Sequence, residues 1–165
     1  ITTGVGGMII TNDDKIAASA RHLSTTAKVP HRWEFSHDEI GYNYRLNNVS
    51  ASIGVAQMEK LDDYLSNKRQ TAEAYATFCQ EHGIEFVRGL SGSQANNWLN
   101  AIILEDRFNR DEFLAHTNDN GIMTRPIWSL MNKLEMYKDC QHDGLENSYW
   151  LEDRVVNLPS SVRSI

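Results

Sequence analysis

Apolar residues recur along this chain with more than one spacing. Met8-Ile9-Ile10 is a continuous run, which predicts a buried strand rather than a half-exposed one. Thr11-Asn12-Asp13 then offers side-chain oxygens for the free N–H groups of a helix start. Ile16, Ala17, Ala20 and Leu23 follow at helical spacing. From Ser24 to Ser36 no period survives, and Pro30, His31, Arg32 and Trp33 fall in what reads as a long loop. Loops of about twelve residues without structure of their own are often functional. Beyond it Val49, Ile53, Ala56, Leu61, Leu65, Ala72, Tyr75, Ala76 and Cys79 lie mostly three, four or seven apart. Asn47 or Asn48 can cap this element, and Gly83 offers the left-handed residue that ends many helices. One helix from about Asn48 to His82 would run near 50 Å at about 1.5 Å per residue. It is expected to bridge two bodies, or to bend between them.

After Gly83 the period changes. Strands are predicted near 84–87, 98–104, 122–127 and 155–158, the third interrupted by Pro126. Asn109 with Glu112 fits a capping box, which predicts a helix with Phe113 and Leu114 inward and Gly121 at its end. Residues 128–144 read as irregular or partly helical, and "ENSYWLEDRVVNLPSS" as a short helix and a last strand. The alternation predicts a small α+β body over 84–165. An apolar strand so near the first residue, and Ile1 where a Met would start a chain, suggest the C-terminal piece of a longer protein.

Composition narrows the class. The 165 residues are 41% hydrophobic and 23% charged, as in a globular protein. The net charge of −6 argues against nucleic acid as main partner, which needs a clustered basic face. No apolar run approaches the roughly 20 residues of a membrane span. Cys79 and Cys140 match no metal spacing and read as reduced thiols of a cytosolic protein. The six histidines are scattered, with none at i+3 or i+4 from another, so no helical metal site is expected. His37-Asp38-Glu39 reads as a loop salt bridge or a solvated polar cluster rather than a carboxylate–imidazole pair. "TTGVGG" lacks the helix that a phosphate loop requires directly after it, and reads as a bend.

Two stretches carry chemistry. In "GYNYR", Asn43 and Arg45 are two apart, so extended backbone points both the same way. Gly41 permits a close approach. An amide and a guanidinium on one face form a donor set suited to a phosphate; a polar loop capping the long helix is the other reading. In "RPIW", Arg125 ends a predicted strand before a proline that cannot donate to a ladder. It either aims its planar fork at an anion or makes a rim salt bridge.

"GGMIITND", "RHLS", "HDEIGYNYRLNNVSASIGVAQMEKLD", "GIMTRPIW" and "NLPSS", in this order, resemble the C-terminal half of the DegT/DnrJ/EryC1/StrS family of pyridoxal-phosphate-dependent nucleotide-sugar aminotransferases. The tail is most similar to the branch that aminates a 4-keto-6-deoxy sugar nucleotide at C4, as in legionaminic acid or bacillosamine synthesis for surface polysaccharide. The resemblance implies a fold-type-I transferase. Residues 1–46 would end the large α/β cofactor domain, 47–83 would form the bridging helix, and 84–165 the small α+β domain. It implies a homodimer with a shared active site, in which Asn43 of one subunit reaches the cofactor phosphate of the other and Arg45 lies nearby. Arg125 and Trp128 would touch substrate. The partners implied are a nucleotide sugar and an amino donor such as glutamate. The family's Schiff-base lysine would fall just upstream of Ile1, and Lys15, Lys28 and Lys60 match no such motif. The chain alone is therefore expected to be inactive. Where relatives read "RPxxxPxH", this chain reads "RPIWSLMN", without the histidine. A non-catalytic fragment that folds and dimerises without the cofactor, or a sugar dehydratase of the same fold, are the alternatives.

Overall fold

A computed structural model describes residues 1–163. The chain divides into two compact units, Ile1–Leu61 and the residues from Asp62 onward. Each is taken by itself.

In the first unit helix α1 spans Asp14–Ser24. Asp13 caps it, its Oδ1 accepting from the N–H groups of Lys15 and Ile16 at 2.8 and 3.1 Å. Helix α2 spans Asn48–Glu59 and is capped by Asn47, whose Oδ1 accepts from Ser50 N–H at 2.8 Å. The run Met8-Ile9-Ile10 forms no strand, and its side chains are 84%, 71% and 87% exposed. This corrects the buried strand expected there. A continuous apolar strand is buried only between paired neighbours with cover on both faces, and no strand lies beside it among the described residues.

The expected helix over 48–82 is helical apart from Lys60 and its last residue, His82. α2 stops at Glu59 and helix α3 spans Leu61–Glu81. Lys60 between them has φ −104° and ψ 1°, and its N–H bonds back to Gln57 and Met58. No proline or glycine occupies the break, so the apolar spacing runs through it unmarked. Gly83 ends α3 with φ +68°.

The second unit carries a four-stranded sheet. Strands β1 (Glu85–Phe86), β2 (Asn100–Ile103), β3 (Arg125–Pro126) and β4 (Val155–Leu158) are antiparallel in the order β1-β2-β4-β3. All four fall where the alternation placed them, each no longer than predicted. Pro126 sits on the edge strand, where its missing N–H costs no ladder bond. The core gathers Cys79 of α3, Ile102 of β2 and Val156 of β4, with Phe113 and Leu114 packed against them. Helix α4 (Arg107–Asp119) supplies those last two. Its cap is Asp106, which accepts from Asn109 N–H at 2.9 Å, rather than Asn109. Both residues are good caps three positions apart, and the earlier one adds most of a turn. Helix α5 spans Glu146–Glu152, after short 3-10 turns at Met131–Lys133 and Glu135–Tyr137.

Glu152 ties this unit together. It is 8% exposed, accepts from Leu130 N–H at 3.1 Å and pairs with the Lys133 ammonium. The guanidinium of buried Arg110 bonds its backbone carbonyl. Burial raises the Glu152 carboxyl, but the Lys133 and Leu130 bonds more than offset this, so it ends below its ordinary value of 4.5. A depressed carboxyl contributes stability above its unfolded pKa, and this is lost as the pH falls through the folded value. Glu152→Gln is therefore expected to destabilise the unit by about 1–3 kcal/mol at pH 7. The gap from wild type should hold from neutral pH down to about 4.5 and close as the pH falls further, through the lowered folded value. A gap constant with pH would remove the charge from this account.

Candidate functional site

The end of α1 builds a scaffold for the segment 41–45. Thr25 Oγ1 returns to Arg21 O at 2.8 Å. Thr26 and Ala27 then take φ of +69° and +49°, a left-handed pair that non-glycine residues seldom adopt. Ala27 is fully buried there. The chain reverses, and the loop returns so that Lys28 bridges His37 and Thr25 bridges Asn43. Three backbone bonds fix the returning segment: Tyr42 N–H to Leu23 O at 2.7 Å, Tyr44 N–H to Ser24 O and Thr26 N–H to Tyr42 O at 3.0 Å. Gly41 makes this possible. A Cβ on it would lie 2.3 Å from Thr26 C and 2.4 Å from Ala27 N.

The Tyr42 and Tyr44 rings stack with centroids 5.2 Å apart. In extended backbone that leaves Asn43 and Arg45 on the opposite face. Both are exposed. Neither the Asn43 amide nor the Arg45 guanidinium has a hydrogen-bond partner among the described residues. Asn47, not Asn43 or Arg45, caps α2. The capping reading of the cluster thus loses its support, and two donors stand without a local task.

Arg45 borders a cavity of about 890 Å³ with Gly7, Met8, Ala20, Arg21 and Asn47 among its walls. It also borders a recess of about 540 Å³ with Arg21, Lys28 and His31. No acidic residue lines either one. Arg21 and Lys28 were not singled out in the sequence, since neither lies near "GYNYR" in the chain; only the loop reversal at Thr26–Ala27 brings them beside Arg45. Three cations, Arg21, Lys28 and Arg45, with no carboxylate among the lining residues, fit a phosphate group. His37 and Asp38 do not pair with each other, and Asp38 forms its salt bridge with His22 instead. His22 Nε2 donates to Asp38 Oδ1 at 2.6 Å, while His37 Nδ1 donates to Thr26 O at 2.7 Å. The His22 bond holds the Asp38 carboxyl below its usual range. Glu39 joins His22 and Asp38 with ligand atoms within 4.8 Å, but the His22 nitrogen is already committed to Asp38.

Arg125 and Trp128 belong to the second unit. Arg125 is exposed, and its Nη1 donates to Asn118 Oδ1 and Thr124 O, each at 3.0 Å. Asn118 Nδ2 in turn bonds Thr124 O and Oγ1. The rim salt bridge is not formed among the described residues; amide and carbonyl oxygens orient the fork and leave its charge unneutralised. Trp128 is 68% exposed and stacks on Trp98, a residue that the sequence reading passed over as part of a strand.

Residues 1–164 match the DegT/DnrJ/EryC1/StrS aminotransferase family, and the chain belongs to it. It is 34% identical over 162 residues to the GDP-perosamine synthase of Escherichia coli O157:H7, covering 97% of this chain and 43% of that protein. It is 28% identical over 142 residues to the UDP-4-amino-4,6-dideoxy-N-acetyl-beta-L-altrosamine transaminase of Campylobacter jejuni subsp. jejuni (strain 81-176), covering 84% and 38%. Among solved structures it superposes on the aminotransferase TlmJ from Streptoalloteichus hindustanus with a TM-score of 0.84 and 25% identity, over 96% of this chain and 43% of that one. The chain thus spans about two fifths of the length of these relatives. Its mixed helical first unit and small antiparallel sheet correspond to the C-terminal portion of such a transferase.

Proposed function

We propose that the protein carrying this chain is a pyridoxal-phosphate-dependent aminotransferase that moves an amino group from glutamate to a keto nucleotide sugar. The single observation that carries the reading is the unpartnered Asn43–Arg45 face, set on a backbone that Gly41 and two left-handed residues hold in place. Family membership supports a phosphate-bearing cofactor as the ligand of those donors, and the names of two relatives, one a GDP-sugar synthase and one a UDP-sugar transaminase, support the nucleotide-sugar class.

Pyridoxal phosphate, when bound, supplies the electron sink through which an amino group leaves one carbon for another. The chain's own residues hold and orient. Asn43 donates its amide to the cofactor phosphate, and Arg45 adds charge from the same face. Arg21 and Lys28 line the recess on which Arg45 borders and keep it attractive to anions. In this reading Asn43 serves the site of the neighbouring subunit in a homodimer, which explains why its own subunit offers it no partner. Arg125 and Trp128 meet the substrate. The amine that anchors the cofactor lies outside these 165 residues.

The test follows the cofactor's absorbance in the full-length protein. Glutamate should convert the pyridoxal form to the pyridoxamine form, and a 4-keto-6-deoxy UDP- or GDP-sugar should convert it back. The 165-residue chain alone, mixed with pyridoxal phosphate and glutamate, should produce no pyridoxamine phosphate above a cofactor-only blank. A full-length spectrum indifferent to both glutamate and keto sugar contradicts the proposal.

A further inference from the structure

Two tryptophans of the second unit lie where hydrophobicity alone would not put them. Trp98 is 66% exposed and Trp128 is 68% exposed, although an indole offers one of the largest burial gains of any side chain. Their rings stack on each other instead, with centroids 6.3 Å apart and planes inclined by 27°. Trp98 lies two residues before β2 and Trp128 two residues after β3.

The backbone under Trp98 is held firmly. Asn97 takes φ of +50°, in the left-handed region. The N–H of Trp98 donates to Asn96 Oδ1 at 3.0 Å, and its carbonyl accepts from Lys68 Nζ at 3.3 Å. Lys68 is itself anchored on the Ser160 carbonyl, and Ser160 Oγ accepts from both N and Nδ2 of Asn100, at 2.8 and 3.1 Å. These bonds fix the backbone next to a ring that packs into no core, at an Asn, a residue type that takes this region readily. Two stacked indoles present a flat surface about the size of one ring system. A protein partner needs about 800 Å² on each side, so a small planar ligand is the better match.

We infer that Trp98 contacts substrate directly, forming with Trp128 an aromatic platform that takes the flat ring of a nucleotide sugar. This rests on the nucleotide-sugar reading above. A base and the C–H face of a hexose meet an indole through the same stacking and desolvation, so the experiment separates them. The full-length protein and its Trp98→Ala and Trp98→Phe variants are titrated by calorimetry with UDP, GDP and N-acetylglucosamine 1-phosphate. Trp98→Ala should weaken the ligand seated on the platform by about five- to a hundredfold. Trp98→Phe should stay within about threefold, and pyridoxal phosphate affinity and melting temperature should not move. Loss confined to UDP and GDP seats the base; loss confined to the sugar phosphate seats the hexose. If wild type binds UDP or GDP and Trp98→Ala binds all three ligands equally well, the platform is wrong while the nucleotide-sugar reading survives. A fall in every affinity together with melting temperature makes Trp98 structural and overturns the inference. If wild type binds none of the three, both fail.

Discussion

Asn43→Ala should lower the affinity of the full-length protein for pyridoxal phosphate by about ten- to a hundredfold. A hydrogen bond to a charged group is worth roughly 1.5–3 kcal/mol, and each decade of affinity is about 1.4 kcal/mol. The fold should not suffer, because the Asn43 side chain is exposed and its backbone bridge to Thr25 does not involve the amide. Melting of the cofactor-free protein checks that. A second readout locates the subunit that Asn43 serves. Asn43→Ala is mixed with a variant lacking the catalytic lysine, and subunits are allowed to exchange. Half the dimers are then mixed, and each has one site with both the lysine and a partner's Asn43. Activity should recover to about a quarter of wild type under random pairing. With cofactor held too low to load Asn43→Ala, activity no greater than that of the two parents would put Asn43 in its own subunit's site.

Gly41→Ala should do more damage than removing the Asn43 amide, although it adds only a methyl group. The new Cβ would overlap the Thr26–Ala27 peptide at 2.3 and 2.4 Å, and the obstacle is backbone, not a side chain that can swing aside. Overpacking against such an obstacle costs about 1–3 kcal/mol. Here the strain falls on the bonds of Tyr42 to Leu23 and of Thr26 to Tyr42 that hold the segment on α1. Amide hydrogen exchange should speed up over residues 23–45. Cofactor affinity should fall at least as far as in Asn43→Ala, since both donors lose their aim. Gly144→Ala is the matched control. Its Cβ would meet only Glu146 Cγ at 3.8 Å, an ordinary contact. Equal effects of the two substitutions would show that the close approach at Gly41 does not position the site.

Much of this architecture was legible in local signals. Asp13 before an apolar helical spacing gave α1, and four apolar runs gave the four strands in order. Gly83 and Gly121 end α3 and close the turn after α4 with φ of +68° and +77°. What escaped depended on distant parts of the chain or on near-equal local choices. Asp106 and Asn109 compete for one cap. Lys60 breaks a helix without any breaker residue. Met8-Ile9-Ile10 reads as a strand by its own residues, yet a strand exists only with a neighbour. The site divides in the same way. Gly41, Asn43 and Arg45 stand together in the sequence and on one scaffold. Arg21 and Lys28 join them only because Thr26 and Ala27 turn left-handed, and nothing in a Thr-Ala pair announces that. Trp98 looked like a strand residue because the apolar run continues past it into Leu99, Ala101 and Ile102. The strand itself starts only at Asn100, after a left-handed turn at Asn97.

The phosphate assignment is the centre of this account, and comparing two ligands tests it most directly. Wild type and Asn43→Ala are titrated with pyridoxal phosphate and with pyridoxal, which differs only in lacking the phosphate group. Asn43→Ala should lose about ten- to a hundredfold in affinity for pyridoxal phosphate and stay within about twofold of wild type for pyridoxal. Equal losses for both ligands, or none for either, would contradict the claim that Asn43 holds the cofactor by its phosphate.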